Sequence, residues 1–166
     1  MELREISPEM ITDNTFKLIG KDWMLVTAGS EAAFNTMTAA WGGLGVLWDK
    51  KICFCVIRPT RYTYAFMEKS EDFTLSFFEE RYRDVLTYCG TKSGKDVDKV
   101  TQTGLTPVFD DDIIYFGEAR LVMVCRKIYA QDIVPDNFID PNIDKFYPKK
   151  DYHRMYVGEI RRCLSK

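Results

Sequence analysis

The sequence predicts a mainly β fold: a barrel or tightly curved sheet with short helices at its edges. Three observations carry this. β-type apolar runs recur along the whole chain, at 22–30, 51–57, 72–78, 113–131 and 152–164. Helical spacing is confined to short intervals between them. The long alternating helices of a doubly wound parallel sheet are missing.

The elements follow in order. "DWMLVTAGS" (22–30) ends in Gly29-Ser30 and reads as a strand and a turn. "AFNTMTAAWGGLG" (33–45) begins small, polar and β-tolerant and becomes glycine-rich. "KICFCVI" (51–57) is almost continuously apolar, the pattern of a strand buried on both faces. In "RYTYAFMEK" (61–69), Tyr62, Ala65, Phe66 and Lys69 fall at helical spacing, and "DFTLSFF" (72–78) returns to a strand. Two short helices are predicted at 80–90, stopped by Gly90, and at 94–104, ended by Gly104. The run 113–131 is broken or bulged at Gly117. "NFIDPNIDKFYPKKD" is a Pro- and Asp-rich excursion, and 152–164 is a closing strand. Neither repeats nor long linkers divide the chain, so residues 1–166 are expected to form one domain.

Composition narrows the function classes. A net charge of −2 supplies no basic field for nucleic acid or an anionic membrane. No apolar stretch reaches the ~18 residues of a spanning helix. The start "MELREISPEMI" has no signal-like apolar core, and the expected compartment is the cytoplasm. Cys53, Cys55, Cys89, Cys125 and Cys163 are odd in number and scattered, which argues for buried reduced thiols over a disulfide framework. His153 is the only histidine, so no metal site is expected, and no nucleophile elbow accompanies it. If the chain is an enzyme, a cofactor must carry its chemistry.

Four stretches could hold such a cofactor. In "CVIRPTRYTYAFMEKS" (55–70) a buried strand delivers Arg58, Pro59 stiffens the corner, Thr60 stands where an N-cap would be, and Arg61 follows. Two guanidiniums beside a helix N-terminus suit a phosphate. The same residues also fit a surface loop with two solvated arginines. In "FNTMTAAW" (34–41) a strand would turn Asn35, Met37 and Ala39 one way and Thr36, Thr38 and Ala40 the other. Small side chains let a flat ring lie against the backbone, with Met37 and Trp41 as apolar contacts; on pattern alone a Thr-rich edge strand with Trp41 in the core fits somewhat better. In "CGTKSGKDVDK" (89–99), Ser93-Gly94-Lys95 before a helix suits an anion or a surface cap. In "HRMYVGEI" (153–160), His153 could line a barrel mouth. Without GxGxxG or GxxxxGK[ST], a single phosphate fits better than a pyrophosphate.

Together, "FNTMTAAWGGLGVLW", "VIRPTRYTYAFMEKSEDFTLSFF", "CGTKSGKDVDK" and "HRMYVGEI", in register from about residue 23 to 160, resemble the flavin reductase-like family of FMN-binding split barrels, which includes flavoredoxins. Ala40 stands where a serine is usual and Lys95 where an arginine is common. The resemblance implies a six-stranded split β-barrel homodimer with FMN near the subunit interface. It implies that Asn35, Thr36, Met37, Thr38, Ala39, Ala40 and Trp41 meet the ring. Arg58, Thr60, Arg61, Tyr62 and Thr63 would surround the phosphate, with Ser93 and Lys95 closing the site. His153 is the position implied to lie near a nicotinamide. The expected activity is hydride transfer from NAD(P)H to the flavin, with electrons passed to a further acceptor. An electron carrier reduced by a partner protein, and a non-redox binding barrel, stand as alternatives.

Overall fold

Two residues, Ala40 and Trp41, join the strands that end the main sheet, and this forces the sheet to curl. The computed structural model describes residues 2–166. Its strands are β1 (Arg4–Ile6), β2 (Met24–Ser30), β3 (Ala33–Ala39), β4 (Gly42–Leu47), β5 (Lys50–Ile57), β6 (Asp72–Phe77), β7 (Pro107–Asp110), β8 (Ile113–Phe116), β9 (Leu121–Asp132) and β10 (Arg154–Ser165). The helices are α1 (Thr15–Lys17), α2 (Tyr62–Lys69), α3 (Arg83–Thr91) and α4 (Lys99–Thr103). The ladder runs β3-β2-β6-β9-β10-β5-β4, with β1 added on β10. Every pairing is antiparallel. Laid flat, seven strands would put β3 and β4 about 29 Å apart. The link from Ala39 to Gly42 reaches at most about 11 Å. The sheet therefore rolls until its edges meet, and it stays split there because β3 and β4 do not pair.

The mainly β barrel expected from sequence is what forms. The ladder counts eight strands, with β7 and β8 as a separate hairpin. β4 comes from the glycine-rich "GGLGVL", which carries little β propensity of its own and is held by pairing with β5 from Gly42↔Cys55 to Leu47↔Lys50.

Burial explains the continuous apolar runs. Met24, Val26 and Ala28 of β2 share the inner core with Met37, Cys53, Cys55, Phe73, Leu75, Met123, Cys125 and Tyr156. Leu25 of β2 turns outward to a second core with Leu86, Cys89, Leu105, Phe116, Val122 and Val124. The outer layer is built by α3, α4 and the β7–β8 hairpin, so the covered strands are apolar on both sides. All five cysteines are free and buried, as expected. Among the described residues no helix is long and apolar enough to cross a membrane.

Three boundary expectations need correction. Thr60 is not the N-cap of α2; that position is Arg61, and it brings no side-chain cap. Pro59 and Thr60 are the middle of a turn closed by Arg61 N–H to Arg58 O at 3.0 Å, which delays the helix. Gly90 does not stop α3, whose C-cap is Lys92. It is instead a close-packing point: a Cβ there would lie 3.2 Å from Thr38 Cβ. Residues 93–97 form a turn, and α4 starts only after Asp98, whose carboxylate accepts from Thr101 N–H at 3.1 Å. Its far end is as expected, at Gly104 in the left-handed region with φ 70°.

Candidate functional site

The split edge of the barrel opens into a cleft. Met37, Thr38 and Ala39 at the end of β3 meet Ala40 and Trp41 of the link, Val56 and Arg58 from the end of β5, Arg61 and His153. The two regions on which the sequence reading depended, 36–41 and 58–63, therefore converge. The cleft encloses about 250 Å³. Earlier along β3, at residues 34–36, a recess of about 580 Å³ is lined by Asn35, Thr36, Gly94, Lys95 and Lys99 among others.

Between these openings lies a pair of cations. Arg61 Nη1 donates to Gly90 O at 2.9 Å. Lys99 Nζ donates to Cys89 O at 2.8 Å and to Thr36 O at 2.7 Å. Cys89 and Gly90 belong to the last turn of α3, where carbonyls lack intrahelical partners and the helix dipole is negative. These carbonyls hold two positive charges side by side. Among the described residues no carboxylate pairs with either. Lys99 is 6% exposed, and burial, helped by the Arg61 charge, holds its pKa down to about 8. Burial also lowers the Arg61 pKa from its ordinary value. Such a pair gains most from an incoming anion.

Arg58 is differently placed. Its guanidinium donates to Asp151 Oδ1 at 2.7 Å and Phe146 O at 2.9 Å, and lies 4.9 Å from the centre of the Tyr147 ring. The 133–152 excursion thus folds back as a strap against Arg58, Trp41 and His153 at the rim of the cleft, and Arg58 ties it down. Trp41 is not in the core; it is 46% exposed, edge-on to Phe146 at 5.5 Å and tilted against His153 at 5.2 Å. His153 is buried, with Nδ1 2.8 Å from Tyr147 Oη. Burial, then the Arg58 charge, lowers its pKa to about 4, so the ring is neutral at pH 7.

The other expected residues divide. Asn35 is buried and donates from Nδ2 to Thr63 Oγ1 at 2.8 Å, which locks β3 to the first turn of α2. Thr38 donates to Leu86 O and anchors the same strand to α3. Thr60 is exposed in its turn. Tyr62 faces a separate groove along α2 with Ala65, Phe66 and Lys69. Ser93 caps its own turn through Lys95 N–H at 3.2 Å, and Lys95 points to solvent at the rim of the recess. Sequence reading missed Lys99, Tyr147 and Asp151. Nothing local separates Lys99 from the solvated Lys92 and Lys95; its burial comes from the docking of α4 against β3 and α3.

Known structures share this architecture. Flavoredoxin from Methanosarcina acetivorans is 18% identical, with a TM-score of 0.70 over 100% of this chain and 76% of that one. An FMN-binding domain of a flavin reductases-like enzyme from Shewanella baltica OS155 is 17% identical, with a TM-score of 0.71 over 98% and 76%. Flavoredoxin of Desulfovibrio vulgaris (Miyazaki F) is 23% identical, with a TM-score of 0.67 over 98% and 77%. At these identities the likeness is one of fold. No curated protein matches the sequence. The flavin reductase like domain matches residues 16–165, nearly the whole length, and the chain belongs to that family.

Proposed function

We propose that this protein binds FMN at the split of its barrel and takes electrons from NAD(P)H for delivery to a further acceptor. The observation that carries the reading is the Arg61–Lys99 pair, two partly or wholly buried cations without a carboxylate partner among the described residues, next to the wall Met37–Trp41 with its small Ala39 and Ala40. The donor set fits a phosphate monoester: Arg61 spends one of its five N–H donors on Gly90. The wall at Ala39-Ala40 fits a planar ring against backbone.

In this reading Arg61 and Lys99 hold the phosphate, with Thr60, Thr63, Ser93 and Lys95 near it. The backbone of Thr36–Trp41 meets the ring, and Asn35 positions that strand through Thr63. Arg58 closes the strap, and His153 with Trp41 faces the incoming nicotinamide. Bound FMN would supply the hydride acceptor, its N5. The chain's own work is to stack two rings, exclude water and provide charge complementarity, which accounts for the lack of a strong acid–base pair.

A cleft of about 250 Å³ falls below the ~300 Å³ at which small-molecule sites begin. We propose that a second copy supplies the missing wall in a homodimer. The exposed Val46 and Leu47 on β4, whose outer edge is unpaired, and the exposed Trp48 in the turn after it favour such a contact.

Anaerobic titration of the FMN-loaded protein with NADH and NADPH tests the reading. Bleaching of the flavin band by either supports it. Bleaching only with a reduced protein donor favours the electron-carrier reading, to which the flavoredoxin neighbours lend weight. A colourless protein that does not take up FMN refutes both.

A further inference from the structure

We infer that Tyr147 is a positioning residue: its hydroxyl holds His153 as a neutral ring whose Nε2–H faces the cleft as a lone hydrogen-bond donor. What that donor meets rests on the redox reading above; the tautomer rests on geometry alone. Tyr147 is 3% exposed, its Oη lies 2.8 Å from His153 Nδ1, and the rings meet edge-on at 77°. Two arrangements would satisfy that distance. If the imidazole donated, the phenolic proton would be left without an acceptor among the described residues in a closed aromatic cluster, a costly omission. The phenol therefore donates, Nδ1 accepts, and a neutral ring carries its proton on Nε2.

Nε2 makes no hydrogen bond to the described residues, yet it is not one of the enclosed side-chain atoms left without a partner. It therefore reaches open space, and the space that His153 lines is the cleft with Met37, Ala39 and Trp41. The charged groups around the ring are Arg58, over Tyr147 and paired with Asp151, and Arg61 across the cleft. Burial and the Arg58 charge oppose a second proton on the imidazole. The donor thus stays single and neutral across the physiological range. Its complement is an acceptor without a proton: a carbonyl oxygen conjugated to a planar redox-active system, such as the carboxamide of a nicotinamide or a quinone oxygen.

Because His153 is the sole histidine, long-range ¹⁵N–¹H correlation spectra of the labelled protein report one ring. The expected wild-type result is the Nε2–H tautomer, unchanged from pH 8 to pH 5.5. In Tyr147→Phe, which keeps the aromatic packing, both tautomers should populate and the titration should move up toward ordinary values. An Nδ1–H wild-type ring, or a Tyr147→Phe spectrum identical to wild type, overturns the assignment. NAD⁺ and menadione, added separately to FMN-treated protein, should shift the Nε2–H proton. The one that does identifies the source of the carbonyl, and no shift with either overturns the acceptor half. Failure to bind FMN would remove the redox reading while leaving the tautomer result to stand or fall by itself.

Discussion

Replacing Arg61 by alanine should weaken FMN far more than riboflavin. Arg61 uses one N–H on Gly90 O, and its charge has no carboxylate partner among the described residues. Its remaining donors are available to a phosphate, and burial makes each bond count for more than it would in water. A hydrogen bond to a charged group contributes about 1.5–3 kcal/mol. One such bond lost therefore corresponds to roughly 10- to 150-fold in affinity. Riboflavin carries the same ring without the phosphate, so its affinity should be nearly unchanged. The assay is fluorescence titration of flavin-free protein with each ligand, wild type beside Arg61→Ala, with circular dichroism as a check on folding. An equal loss for both flavins would mean that Arg61 only supports the end of α3. An unchanged FMN affinity would remove it from the phosphate site altogether.

Other outcomes follow from the same geometry. Lys99 loses its proton as pH rises through about 8, so FMN affinity should decline above that point, by up to about tenfold per pH unit for one linked proton, while riboflavin affinity stays level. His153 has a folded pKa near 4, below its ordinary 6.5. The unfolded chain then binds the proton first as pH falls, so this group's contribution to stability is complete above about 6.5 and is lost between about 6.5 and 4. Chemical denaturation should show up to about 1.4 kcal/mol per pH unit from it, absent in His153→Asn. In Gly158→Ala the new Cβ would lie 2.7 Å from Phe73 Cζ and 2.9 Å from Cys125 Cβ. Overpacking of that kind costs about 1–3 kcal/mol, which calorimetry should register as a Tm lowered by roughly 2–12 °C.

Much of this protein is written in local pattern. Runs such as "KICFCVI" and "DFTLSFF" are apolar at consecutive positions, and only a strand covered on both faces can bury them; Met24, Leu25 and Val26 of β2 behave the same way, divided between two cores. The stretch 37–41 and the Arg58–Arg61 corner were each ambiguous on their own residues; the resemblance of four stretches in register implied that they share one site, and they do line one cleft. Tertiary structure decided the rest. It converted Arg58 from a free cation into the clasp of a strap, since Asp151 lies ninety-three residues away and comes near only when β10 pairs with β5. It selected Lys99 among several lysines by docking α4 where the carbonyls of Thr36 and Cys89 lacked donors. It gave His153 its tautomer through Tyr147. Local spacing encodes which faces of an element are apolar; it does not encode which distant carbonyl, carboxylate or phenol will meet a charge, because that depends on how the sheet closes.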